Sequence, residues 1–228
     1  MVQQLALDIE LPIHHTLQNF QEGPNQIIIR YLQHFLQNGQ DRQVYLWGSE
    51  GAGKTHLLQA SCHELVKQGL QVSYVPLAYY KDFSPQLLLG AEQLDLLCLD
   101  DIQMIASQSS WEEEIFHCYN RLQQCNSRLM IAADVPPQQL SFALADLKSR
   151  LTAGTIFHLQ TLTDEQKLAA LQNQAKVRGL ELSSEVGQFL LAHCPRNMHQ
   201  LFDILERLDK ASLAAQRKLT IPFVKEII

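Results

Sequence analysis

Charge is scarce in this chain and leans away from nucleic acid. Charged residues make up 18% of its 228 positions, and the formal net charge is -6. Affinity for a nucleic-acid backbone comes from Lys and Arg displacing counterions, so a broad DNA-gripping face is excluded and only a small local patch stays open. Cysteine is also sparse. Cys62, Cys98, Cys118, Cys125 and Cys194 form no CxxC pair, so no zinc ribbon or disulfide framework is expected, and a reducing cytosol is. Cys98 sits in an apolar run and reads as a small buried hydrophobe. Long apolar stretches are missing too: nothing approaches the roughly 20 residues that span a bilayer. The opening "MVQQLALDIELP" lacks the basic start and apolar stretch of a signal peptide. Among the histidines, His56 and His63 lie two helical turns apart and His14 and His15 are adjacent, so none has metal-ligand spacing. There is no internal repeat, no low-complexity tract, and no Ser-His-Asp or Cys-His arrangement with supporting context.

Hydrophobic residues, at 46%, are enough for a real core. Three parts follow one another. Residues 1–24 are irregular, broken by Pro12, Gly23 and Pro24. Residues 25–160 alternate helical patterns with the runs "VYLW" (44–47), "VSYVP" (72–76), "LDLLCLD" (94–100), "RLMIAA" (128–133) and "TIFHL" (155–159). Nearly continuous apolar strands separated by helix-length segments predict a five-stranded parallel sheet covered on both faces. Residues 161–228 carry only helical signals. Thr163 with Gln166 forms a capping box, Gly179 is a natural stop, and Thr220 caps a last helix with Pro222 in its first turn. The expected architecture is an α/β nucleotide domain followed by a small all-helical lid.

"GSEGAGKT", Gly48 to Thr55, satisfies G-x-x-x-x-G-K-[ST], follows a strand and opens a helix. Gly48, Gly51 and Gly53 let backbone N–H groups curl around phosphates where the helix dipole favours anions. Lys54 is placed to reach the β- and γ-phosphates, and the Thr55 hydroxyl to ligate Mg²⁺. A Gly-rich turn before a surface helix is the bland alternative, and the flanking strand and helix argue against it. "LDLLCLDD" adds two carboxylates at a strand end, Asp100 for the metal and Asp101 facing the attacking water.

A phosphate loop, an acidic strand end, the polar tip Asp134 after "RLMIAA" and a helical lid together resemble an AAA+ ATPase module. The resemblance puts Asp134 at the sensor I position. It makes Arg150, in "DLKSRL", the arginine finger that acts in trans on a neighbour's nucleotide. By spacing alone, Leu144, Leu147 and Leu151 form the core stripe of that helix, and Arg150 lies beside the stripe. The segments "TLQNFQEGPNQ" (16–26), "DVPPQQL" (134–140) and "LKSRL" narrow the likeness to the DnaA-type AAA+ family of replication initiators. The tail, 209–228, resembles the end of the DnaA-related regulatory inactivators. No segment here resembles the initiator's N-terminal partner domain or its C-terminal DNA-reading domain.

This resemblance implies ADP or ATP with Mg²⁺ as ligands, and carries nucleotide contacts onto Phe20, Asn25, Ala52 and His56. The lid departs from the pattern. Where relatives place the sensor II Arg, this chain has His199, with Arg196 three residues earlier. A His is shorter and mostly neutral near pH 7, which puts lid contact with the γ-phosphate, and efficient intrinsic hydrolysis, in doubt. Asp101 replaces the Glu common in AAA+ hydrolases and reaches about 1.5 Å less far.

"QLALDI" resembles the short peptide that docks on the DNA polymerase sliding clamp, with Gln4 for a polar pocket and Leu5, Leu7 and Ile9 as apolar anchors. An edge strand or frayed end is the plainer reading. The implied partners are therefore the clamp and the initiator DnaA, with DNA reached only through the clamp, no membrane, and a homodimer allowed. The expected function is to stimulate hydrolysis of initiator-bound ATP rather than to turn over ATP alone. An autonomous ATPase and a helicase loader are the rival readings.

Overall fold

The computed structural model describes residues 15–38, 41–125, 127–195 and 198–228, the side chains of 38 and 199 excepted. They form two compact units, divided between Gln160 and Thr161.

The first unit is built on strands β1 (Gln43–Trp47), β2 (Val72–Pro76), β3 (Leu96–Asp100), β4 (Arg128–Ala133) and β5 (Thr155–His158). All neighbours pair in parallel, in the order β2-β3-β4-β1-β5. Alternate side chains on one strand point to opposite faces, and both faces are covered here. Val44 and Leu46 of β1 pack with helices α1 (Gln26–Asn38) and α2 (Lys54–Val66). Tyr45 of the same strand packs with α3 (Ser109–Gln124) and α4 (Ala145–Leu151). This two-sided burial explains why the strands read as unbroken apolar runs instead of alternating ones.

One connection departs from the helix-length expectation. Between β2 and β3, residues 77–93 form only short 3-10 turns. Pro85 enters the second turn and Gly90, at φ 84°, precedes the third, so no α-helix can propagate through. β3 also starts two residues later than the apolar run suggests, because Leu94 closes the preceding 3-10 turn with its N–H on Ala91 O.

The second unit packs α5 (Asp164–Val177), α6 (Ser184–His193), α7 (Met198–Ala215) and α8 (Ile221–Ile227) around Leu171, Leu190, Leu201, Leu205, Leu208 and Val224. Its helix ends follow the sequence signals. Thr163 and Gln166 exchange both capping-box bonds. At the other end of α5, Gly179 at φ 76° donates to Lys176 O while Leu180 N–H reaches Ala175 O, a Schellman closure. Thr220 Oγ1 accepts from Phe223 N–H at the start of α8.

Candidate nucleotide-binding site

The loop Gly48–Thr55 leaves the C-terminal end of β1, a central strand. Gly48 N–H bonds Ala133 O of β4 at 3.2 Å, and a Cβ at Gly48 would stand 2.5 Å from Leu159 O. Only glycine lets the chain pass between its neighbours there. Gly53 sits at φ 98° as the residue before α2, in backbone space that L side chains rarely adopt. No described side chain caps α2, and its first turn holds no acidic residue. Its N-terminal N–H groups therefore form a cradle for an anion, aided by the helix dipole.

The cationic and metal-binding groups converge on this cradle. Lys54 is 6% exposed. Its Nζ donates to Gly48 O (2.7 Å), Ser49 O (3.2 Å) and Asp134 Oδ1 (2.9 Å). Asp134 leaves the end of β4, next to β1 in the sheet, so the topology delivers it to the lysine. Thr55 Oγ donates to Asp100 Oδ2 at 2.7 Å, and the Asp101 N–H bonds Asp100 Oδ1 at 3.1 Å. Burial, the largest effect, and the neighbouring Asp101 charge hold the Asp100 carboxyl above its usual range, against the hydrogen bonds that favour the anion. A hydroxyl beside a buried carboxylate at a phosphate loop is a donor set that suits a hard divalent cation. The residues thus fit a polyphosphate and its cation.

Two further members of the cluster are not singled out by motif. Tyr74 of β2 donates its hydroxyl to Asp100 Oδ2 at 2.8 Å. It pairs with Cys98, two residues before Asp100 on β3, so a ring on the same face reaches the carboxylate diagonally. Gln103 Nε2 bonds both Asp101 Oδ1 and Asp134 Oδ2 at 3.1 Å, and so joins the two acidic tips. A lone polar ring in "VSYVP", and an amide two residues past an acidic pair, are the only sequence signals for them.

The segment preceding α1 packs onto the loop. The Phe20 ring lies against Gly53, where an added Cβ would meet Cε2 at 2.6 Å. His56, one residue after Thr55, faces Phe20 edge-on and lies at a 32° tilt to His15, with ring centroids 5.4 and 4.5 Å away. Its Nε2 bonds Thr16 O at 2.9 Å, so that nitrogen carries the proton. Ala52 is buried in the same cluster. Asn25 is buried with its amide paired both ways to Gln160 N–H and C=O, at 2.9 Å each, which ties the segment's end to the chain two residues past β5. Arg150 is elsewhere: exposed near the end of α4, its guanidinium 5.9 Å from the centre of the Tyr119 ring. Leu147 and Leu151 are fully buried and Leu144 packs partly against them, so the stripe beside Arg150 does face the core. Gln4, Leu5, Leu7, Ile9 and Arg196 lie outside the described residues, and of His199 only the backbone, within α7, is described.

Residues 11–158 match the model of the bacterial DnaA ATPase domain. The chain belongs to the DnaA-type AAA+ family. Residues 164–228 of this DnaA-type chain match a second model, described as the lid domain of Hda. Domain III of the Thermotoga maritima replication initiation protein DnaA shares its fold, with a TM-score of 0.82 over 96% of this chain and 97% of that one, at 23% identity. DnaA from Aquifex aeolicus, solved with AMPPCP, is 27% identical over 89% of this chain and 67% of that one (TM-score 0.73). A replication initiator DnaA bound to AMPPCP and single-stranded DNA is 26% identical over 91% and 69% (TM-score 0.74). No helix among the described residues is long and apolar enough to cross a membrane.

Proposed function

We propose that this chain is a cytoplasmic regulator of bacterial replication initiation that lends an arginine to another protein's ATP. It binds ADP or ATP at Gly48–Thr55 with Ala52 and His56, Phe20 and Asn25 flanking the loop. Mg²⁺ is held by Thr55 and Asp100. When bound, that cation neutralises charge on the terminal phosphates. "QLALDI" docks the chain on the sliding clamp, and Arg150 is presented to ATP held by the initiator DnaA. Stimulated hydrolysis leaves the initiator in its ADP form and prevents re-initiation. An arginine supplied in trans raises hydrolysis by roughly 10³–10⁵-fold in comparable systems.

The observation that carries this reading is Arg150. It is exposed and rests on an aromatic face, and no described carboxylate pairs with it. The lid's likeness to that of Hda supports a regulator within the family over an initiator. The test is to mix the chain with clamp on DNA and ATP-loaded initiator and to follow conversion to ADP. Arg150→Ala and a Gln4/Leu5 double alanine should each abolish stimulation; full stimulation by both would sink the mechanism.

A second reading, autonomous ATP turnover, draws on the cluster of Lys54, Asp101, Gln103 and Asp134 in one chain. Hydrolysis by the isolated protein that disappears with Lys54→Ala would favour it.

A further inference from the structure

Arg150 acts only if the short helix that carries it is held at a fixed angle, and α4 has just seven residues. A helix this short has little stability of its own in water, so its orientation must come from tertiary contacts. Leu147 and Leu151 bury one face of α4 and Gln43 Nε2 bonds Leu151 O at 3.0 Å, and two side chains of α3 add holds at its two ends. Glu112, in the first turn of α3, is 1% exposed although it is a carboxylate. Its Oε2 accepts the N–H of Leu144, the residue that opens α4, at 2.8 Å. Its Oε1 accepts the N–H of Ser107, also at 2.8 Å. Burying a carboxylate is costly unless donors surround it; these two N–H groups and the positive end of its own helix provide them. Tyr119 lies seven residues on, two turns along the same face of α3, and its ring receives the Arg150 guanidinium. One helix therefore grips both ends of α4.

Glu112 also connects α4 to the phosphate site. Ser107 closes the segment that begins at Asp101, and both residues adopt left-handed backbone, φ 64° and 55°. Between them Ile102 and Ile105 are buried in the same core cluster as Leu147 and Leu151, and Gln103 bonds Asp101 and Asp134. Left-handed conformation at non-glycine residues persists only where the surroundings enforce it. The segment is thus a braced strut between the acidic tips and the carboxylate that holds α4.

We propose that Glu112 and Tyr119 are positioning residues for Arg150, Glu112 fixing the start of α4 against the Asp101–Ser107 strut and Tyr119 fixing the guanidinium. This rests on the reading of Arg150 as a finger acting in trans. A misplacement of about 1 Å can cost on the order of 10²-fold in rate, whereas docking on the partner involves the whole surface. Loss of these contacts should therefore lower the maximal rate and leave half-saturation unchanged.

The experiment uses the full chain, clamp on DNA and ATP-loaded initiator, and measures initial hydrolysis against the chain's concentration. Glu112→Gln, which leaves one of the two N–H groups facing an NH₂, should reduce the maximal rate by about 10- to 100-fold with an unchanged half-saturating concentration and unchanged ADP affinity. Tyr119→Phe keeps the ring face and should stimulate like the parent. Tyr119→Leu removes the face and should lose about 2- to 5-fold, the scale of an exposed cation–aromatic contact. If Glu112→Gln does not fold, as circular dichroism would show, the two Tyr119 variants carry the test. A full maximal rate in Glu112→Gln or Tyr119→Leu overturns the inference, as does a loss seen only in half-saturation or an equal loss in both Tyr119 variants. Normal stimulation by Arg150→Ala would instead remove the proposed function, and this inference with it.

Discussion

Gly53→Ala tests how the phosphate loop is held, because two separate costs meet at one atom. The first is backbone: φ is 98°, and a Cβ in left-handed space costs about 1–2 kcal/mol. The second is steric. The new Cβ would lie 2.6 Å from Phe20 Cε2 and 3.2 Å from Cζ, against ordinary carbon contacts of about 3.5–4.0 Å. The ring must retreat by about 1 Å, and because it is only half-buried it can do so, losing packing worth about 1 kcal/mol. Ala also restricts the unfolded chain, which returns about 0.4–1 kcal/mol. The net expectation is a loss of about 2 kcal/mol. Removing the ring abolishes the steric cost but leaves the backbone cost. Phe20→Ala and Gly53→Ala should therefore couple: the double variant should be more stable than the sum of the singles predicts, by about 1 kcal/mol. Both tryptophans, Trp47 and Trp111, lie in the first unit, so their fluorescence during urea unfolding reports that unit alone. Additivity within about 0.3 kcal/mol, or a Gly53→Ala protein as stable as the parent, would refute the reasoning.

The remaining predictions concern the buried polar and thiol groups. Because burial raises the Asp100 carboxyl above its unfolded value of 3.8, the folded state holds the proton more tightly. Stability contributed by that proton is present at low pH and is lost as pH rises through the folded value. Asp100→Asn should thus flatten the pH dependence of metal-free stability above pH 3.8 and leave the protein no less stable at neutral pH, while Mg²⁺ no longer improves ADP affinity; a clear loss of neutral-pH stability without metal would contradict this. Tyr74→Phe removes the donor to Asp100 and should weaken the Mg²⁺ dependence of ADP binding by about 10- to 100-fold, the usual effect of a partner to a metal ligand, with metal-free affinity unchanged in a fluorescent-nucleotide titration. Thiol labelling should proceed from exposed Cys125 to half-buried Cys194, with Cys62, Cys98 and Cys118 reacting only on unfolding; burial pushes the Cys118 thiol up to about 12, which suppresses the reactive thiolate. Early labelling of Cys118 would falsify that order.

The first unit was legible because its interior strands β1, β3 and β4 are buried on both faces, so their apolar runs mark strand positions to within about two residues. The phosphate loop was legible because its glycines, lysine and hydroxyl act at fixed spacing along the chain. The capping signals at Thr163, Gly179 and Thr220 were legible for the same reason: cap chemistry is local. What stayed hidden is long-range. Tyr74 reaches Asp100 across 26 residues, and Glu112 reaches Leu144 across 32. Gln103 is two residues from Asp101 but 31 from Asp134, which reaches it only because β4 lies beside β3. The absence of a helix in 77–93 also escaped periodicity, since Ser84–Pro85 and Gly90 break a segment of otherwise adequate length.

The two cations at the centre of the proposal are placed for different tasks. Lys54 is buried, and its three N–H groups have three oxygens of its own chain as partners, so it belongs to the nucleotide that this chain holds. Arg150 is exposed, and a ring steadies it where an ion pair could have done so. A carboxylate would fix a guanidinium equally well, but it would neutralise the charge and occupy the forked donors that recognise phosphate. An aromatic face restrains the side chain from one side and leaves the in-plane N–H groups free to meet an external anion. Order without neutralisation is what an arginine acting in trans requires, and it is the physical reason to place the second ATP outside this chain.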